Sequence, residues 1–186
     1  MKLHLLSLLA GLTLLGTSPA YAQQGHGTHQ QGTGAHATQA QGGPYAGMQS
    51  RGIKALSDQQ LADLRAGKGM SLALPAELNG YPGPAHTLEL AEPLKLSVEQ
   101  KTRTEALFAK MQQDAQAVGE EVIAAEAALD GLFKDRKATP SSLAATTAQA
   151  AQAQGRLRET HLRYHLAMVE LLSPEQVAAY NRLRGY

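Results

Sequence analysis

VEQKTRTEALFAKMQQDAQAVGEEVIAAEAALDGLFK, residues 98–134, reads as one uninterrupted amphipathic helix. Met111, Val118, Ala125 and Leu132 recur at seven-residue intervals, and Ala115, Val122 and Leu129 form a parallel row beside them. Together the two rows make a single apolar stripe of helical period. Gly119 weakens the helix locally without breaking it. A helix of this length extends roughly 55 Å. Asp135 to Thr139 then reads as a turn, and Pro140 suits the first position of a second helix. That helix is predicted to run to about Leu172, with Leu143, Ala150, Leu157, Tyr164 and Leu171 again spaced by seven. A short last helix follows, from Pro174 to about Leu183. So short a connection predicts that the two long helices lie antiparallel.

The expected fold is therefore all-α: a long antiparallel helical hairpin over 96–186 with short flanking helices. Residues 44–95 are predicted to hold one short helix, Asp58 to Ala66, closed by Gly67. The stretch from Gly69 to Pro84 reads as turn-rich, because Asn79-Gly80 and Pro82-Gly83-Pro84 are strong breakers. Two long helices alone make a thin object with one buried seam. Either the flanking segments wrap over it or two copies pair, and a homodimer is the expectation.

The first 22 residues have the layout of a secretory signal peptide. Lys2 precedes an apolar run from Leu3 to Leu15, and Ala20-Tyr21-Ala22 is a cleavage signature. The run is shorter than the roughly 20 residues a membrane span needs. Export to the periplasm is the expectation. Residues 23–43 are rich in Gln, Gly, Ala and Thr and lack large apolar side chains, a composition expected to stay disordered. This arm carries His26, His29 and His36, which are weak metal donors on a floppy segment.

The sequence carries 17 Lys and Arg against 16 Asp and Glu. Setting aside Lys2 with the leader leaves the two balanced. No basic block is present, which argues against nucleic-acid binding. The absence of cysteine removes thiolate nucleophiles, disulfides and Cys metal sites. Gly67-Lys68-Gly69 lacks the spacing of a phosphate loop. There is no serine-centred elbow, and Glu120 and Glu121 point in different directions on their helix. These observations point to a non-enzymatic protein.

One pattern occurs three times: Leu56-Ser57-Asp58-Gln59-Gln60, Leu96-Ser97-Val98-Glu99-Gln100 and Leu172-Ser173-Pro174-Glu175-Gln176. Ser at the N-cap and Gln three residues later make a capping box. Leu56 with Leu61, and Leu172 with Val177, have the spacing of a hydrophobic staple, whereas Leu96 with Lys101 does not. The pattern resembles the L-T-x-x-Q motifs of the Spy/CpxP family, with Ser in place of Thr, and the related periplasmic heavy-metal sensor and resistance proteins. The resemblance covers about Leu94 to Tyr186. It implies an extended helical hairpin, usually paired as a curved dimer. Spy-like members hold unfolded envelope clients without ATP, and metal-sensor members bind a transition metal through His, Met and carboxylate side chains.

The segment 161–168 is the most informative for chemistry. His161 and His165 are one helical turn apart, and Met168 falls within about 20° of His161. Two imidazoles and a thioether thus share the apolar arc, a half-site suited to copper, zinc or nickel. Further ligands must come from elsewhere. Met111, on the stripe of the first long helix, is the best-motivated donor, and the sequence leaves the positions of His86, Met70 and Met48 open. The structural alternative is that both His pack at a helix interface and Met168 is core. Leu162, Leu166 and Val169 widen the apolar arc and are candidates for a client-binding surface. The sequence thus supports either metal sensing or holding of unfolded proteins. A third reading is a structural module docked to a membrane-bound regulator through the tail, Arg182 to Tyr186.

Overall fold

The computed structural model describes residues 43–186, and every regular element among them is helical. The expected leader and most of the expected arm, with His26, His29 and His36, lie outside the described residues. A 3₁₀ turn, Met48–Ser50, precedes six α-helices: α1 Asp58–Arg65, α2 Leu74–Glu77, α3 Pro84–Glu89, α4 Val98–Lys134, α5 Pro140–Leu171 and α6 Pro174–Arg184. None is long and apolar enough to cross a membrane.

The helix starts are fixed locally. At Ser57, Ser97 and Ser173 the hydroxyl accepts from the backbone amide three residues on, and the Gln there accepts from the N-cap amide. All three repeats therefore form complete capping boxes, each stabilising its helix by about 1 kcal/mol. A fourth box, Thr139 with Ser142, opens α5 together with Pro140. It escapes a search for Gln at the third position because Ser fills that role.

α4 and α5 pack against each other along their length. Their cross-helix partners include Glu121 with Arg156, Asp114 with Arg163, and Gln100 with the Leu171 carbonyl. Small side chains make up part of the seam. Ala115, Val122, Ala153 and Leu157 are essentially inaccessible. Small residues let the helix axes approach closely enough for dispersion contacts to be continuous.

The upstream segment supplies the cover that two long helices lack. Leu56 and Leu64 are buried in one cluster with Ala115, Val122, Ile123, Ala153 and Leu157, and Ile53, Leu61 and Leu72 pack against it. Burial of side chains such as Leu64 and Leu157 stabilises the fold by roughly 2 kcal/mol each. Gly119 is the point of closest approach: a Cβ there would lie 2.5 Å from the Leu64 carbonyl oxygen. The glycine in the middle of α4 is thus where α1 crosses it, which its place in the helix sequence does not reveal.

The stretch expected to be turn-rich, 69–84, also contains α2 and leads into α3. Both are too short to carry a periodic apolar signal, and each begins with Pro in its first turn. Gly67 (φ +66°), Met70 (φ +41°) and Ser71 (φ +62°) adopt left-handed backbone. These reversals turn the chain back over α4 and α5.

Candidate functional site

On α5, Thr160, His161, Tyr164, His165 and Met168 are all buried. His161 and His165 thus share one face, as their spacing requires, and that face is covered by residues 67–86. His161 is 2% exposed and His165 5%. The His165 Nδ1–H donates to the Tyr81 carbonyl oxygen at 2.7 Å. A carbonyl only accepts, so the proton sits on Nδ1, and in the neutral ring the lone pair is left on Nε2. The backbone at Gly83 lies against this ring. A Cβ there would fall 2.9 Å from His165 Cε1, so only glycine lets the chain pass.

The surroundings of His161 are different. Its Nε2 is buried and finds no hydrogen-bond partner among the described residues. Burial, and secondarily the neighbouring His165, lowers its pKa below the usual imidazole value. A neutral, unpartnered imidazole nitrogen in the interior is costly unless something meets it.

Both rings line a cavity of about 480 Å³ between α4, α5 and the 66–86 segment. Its wall also contains Met70, Met111, His86 and Glu77. Met111, the donor expected from the sequence, and Met70 and His86, which the sequence leaves unplaced, therefore line the same cavity as the two histidines. Two others are not. Met168 is fully buried but does not line the cavity, and Met48 sits in the 3₁₀ turn away from it. Among the described residues no three His, Asp or Glu side chains converge as a metal cluster.

Glu77 is the site residue that sequence reasoning missed. It is buried, in a four-residue helix, and gathers partners from far along the chain. The Tyr180 hydroxyl donates to its Oε1, as does His86 Nδ1–H at 2.9 Å. His165 Nδ1 is 3.7 Å from Oε2 and Arg184 Nε 3.8 Å from Oε1. The Arg184 guanidinium also donates to His86 Nε2 at 3.4 Å, which fits the Nδ1–H form of that ring. Burial and the adjacent Glu77 push the Tyr180 phenol strongly upward, so it stays a donor. Nothing in the local pattern marks Glu77, because all its partners lie outside its own turn.

The tail offered by the sequence as a docking handle is partly committed to this cluster. Arg184 and Tyr186 both reach Glu77. The candidate client residues are split: Leu162 is half-buried, whereas Leu166 is 57% exposed and Val169 38%. The Leu residues of the repeats are structural. Leu56 and Leu172 are buried, and Leu96 is half-buried. No family model matches this chain, and no curated protein or solved structure matches it.

Proposed function

We propose that this is an exported, non-enzymatic helical-hairpin protein of the Spy/CpxP-like type that binds and senses a transition metal in the periplasm. The observation that carries the reading is the buried, unpartnered His161 Nε2 beside a cavity that also gathers His165, Met111, Met70 and His86. Imidazole and thioether together are the donor set of copper and, with imidazole dominant, of zinc or nickel. The antiparallel arrangement is supported by Glu121–Arg156, Asp114–Arg163 and Gln100–Leu171, whose partners separate steadily from the 135–139 connection. A ligand bridging α4, α5 and the 66–86 segment would favour one arrangement of these elements over others, which is how binding becomes a signal. Pairing as a homodimer belongs to the same reading, and sedimentation at micromolar concentration checks it.

The test is titration calorimetry with copper, zinc and nickel in a His26→Ala/His29→Ala/His36→Ala background, so that the arm does not contribute. Saturable binding that disappears on adding His161→Ala/His165→Ala is the expected result. Binding unaffected by that change, or no binding, returns the two histidines to a structural role.

A second reading, an ATP-independent holdase for unfolded envelope proteins, is favoured by one observation. Leu166 and Val169 stand exposed on α5 beside a groove lined by Leu107, Ala167 and Leu171. Suppression of aggregation of a denatured client, lost on Leu166→Ser/Val169→Ser, would support it. The docked structural module remains a third reading, tested by co-purification with a membrane-bound partner.

A further inference from the structure

The donors around the cavity divide into those the fold already uses and those it leaves open. Glu77 is the one carboxylate among the residues lining it. Its Oε1 accepts from Tyr180, from His86 Nδ1 and, at 3.4 Å, from Tyr186, and Arg184 lies alongside. His86 is held at both ring nitrogens, by Glu77 and by Arg184. One oxygen of this carboxylate and one of the three imidazoles are thus engaged in holding α2, α3 and α6 together, while Glu77 Oε2 lies 3.7 Å from His165 Nδ1, beyond hydrogen-bond distance.

Beside that oxygen, the donors left open are two imidazoles, which suit copper, zinc and nickel, and two thioethers, which are soft. In the neutral ring the lone pair of His165 is on Nε2, because Nδ1 is tied to the Tyr81 carbonyl. His161 is buried with an unpartnered nitrogen. Met111, 8% exposed, faces the cavity from α4. Met70 also lines it and is 36% exposed, on a backbone held at φ +41° and followed by Ser71 at φ +62°. Consecutive left-handed residues other than Gly or Asn are strained, and such backbone is maintained where something else requires it. Lys68 and Arg184 also line the cavity, where Asp63 pairs with the first at 2.8 Å and Glu77 lies 3.8 Å from the second, so the charges of its wall are largely matched.

We propose that the cavity is a site for monovalent copper, bound by His161 and His165 with the thioethers of Met70 and Met111. This rests on the metal-binding reading above and narrows it. Cu(I) accepts low coordination numbers and thioether sulfur, whereas Zn(II) prefers four N, O or thiolate donors. The scarcity of free His, Asp and Glu, which weakens a divalent site, leaves a Cu(I) site intact. Met70, on the 67–71 turn, is then the ligand that joins the covering segment to the two long helices.

The experiment uses the full chain with His26, His29 and His36 replaced by Ala. Cu(I) is delivered anaerobically under competition with a chromophoric Cu(I) chelator, and Zn(II) binding is measured in parallel. The variants are Met70→Leu/Met111→Leu, which nearly conserves volume and should fold, and His161→Ala/His165→Ala. The expected result is one Cu(I) per chain with copper–sulfur scattering in X-ray absorption. The methionine pair should weaken Cu(I) by about tenfold or more, abolish the sulfur scattering and leave Zn(II) binding unchanged. Cu(I) affinity that survives the methionine pair, or scattering from nitrogen and oxygen alone, overturns the copper assignment. If zinc binding is then lost in the histidine pair, the metal-binding reading survives without it. If the histidine pair alters no metal, both fall together.

Discussion

The side chains of Gln100 and Gln176 hydrogen-bond to each other in both directions. Gln100 Nε2 donates to Gln176 Oε1 at 2.8 Å, and Gln176 Nε2 donates to Gln100 Oε1 at 3.0 Å. Each amide has a further partner, the Leu171 carbonyl for Gln100 and the Leu94 carbonyl for Gln176. Each Oε1 also accepts from its own N-cap amide. Two copies of the repeated motif therefore do more than begin helices: they join the start of α4, the end of α5 and the start of α6.

Replacing either glutamine by Ala removes a cap and strands the other half-buried amide. A loss of about 1–2 kcal/mol is expected for each single change. The double variant should lose clearly less than the sum, because the partners act as one unit. Urea unfolding of the four members of the cycle measures this, and strict additivity would show that the pairing contributes nothing.

Gly119 and Gly131 occupy the same helix and should respond oppositely to alanine. In α4 the change gains roughly 1 kcal/mol of helix propensity. At Gly131 nothing lies within 4 Å of the new methyl, so Gly131→Ala should stabilise. At Gly119 the methyl would meet the Leu64 backbone, so Gly119→Ala should displace α1 and give a net loss of about 1–3 kcal/mol. Thermal melts of the two variants give the signs directly.

Glu77→Ala should destabilise by about 3 kcal/mol, since it leaves the buried Tyr180 hydroxyl with no acceptor for its proton and uncouples Arg184 from α2. Tyr180→Phe should cost less, about 1–2 kcal/mol, because Glu77 keeps its His86 bond. Hydrogen exchange should show the loss first in residues 74–89. Exchange that quickens uniformly over the whole chain would contradict the local role given to this cluster.

Asp114 gives stability a dependence on acid. Lys110 first, then Tyr164 and Arg163, hold its carboxyl down to about 2 from the ordinary 3.8, against a smaller opposing effect of burial. A carboxylate with a lowered folded-state pKa contributes stability that is complete above the unfolded value and lost as pH falls through the folded one. The contribution should therefore be full above about pH 4 and decline toward pH 2. Solvent screens a partly exposed cluster, so the amount is no more than about 1 kcal/mol. The difference in melting temperature between the wild type and Asp114→Asn should narrow over that range, and a constant difference would remove Asp114 as the cause.

What the sequence determined by itself is whatever depends on neighbours within a few turns. The seven-residue rows set α4 and α5, Ser-x-x-Gln set three helix starts, and the His161–His165 spacing put two rings on one face. Each is decided by helical period or by amides three residues apart, so the chain carries the information locally. The tertiary structure decided which residues from distant turns meet. It laid 53–72 over the seam and made Gly119 a crossing point rather than a weak spot. It brought Met70, His86 and Met111 to the histidines and placed Glu77 against Tyr180, 103 positions away. Those encounters depend on closing long loops around a shared apolar surface, a condition satisfied only by the whole chain at once and written in no single segment.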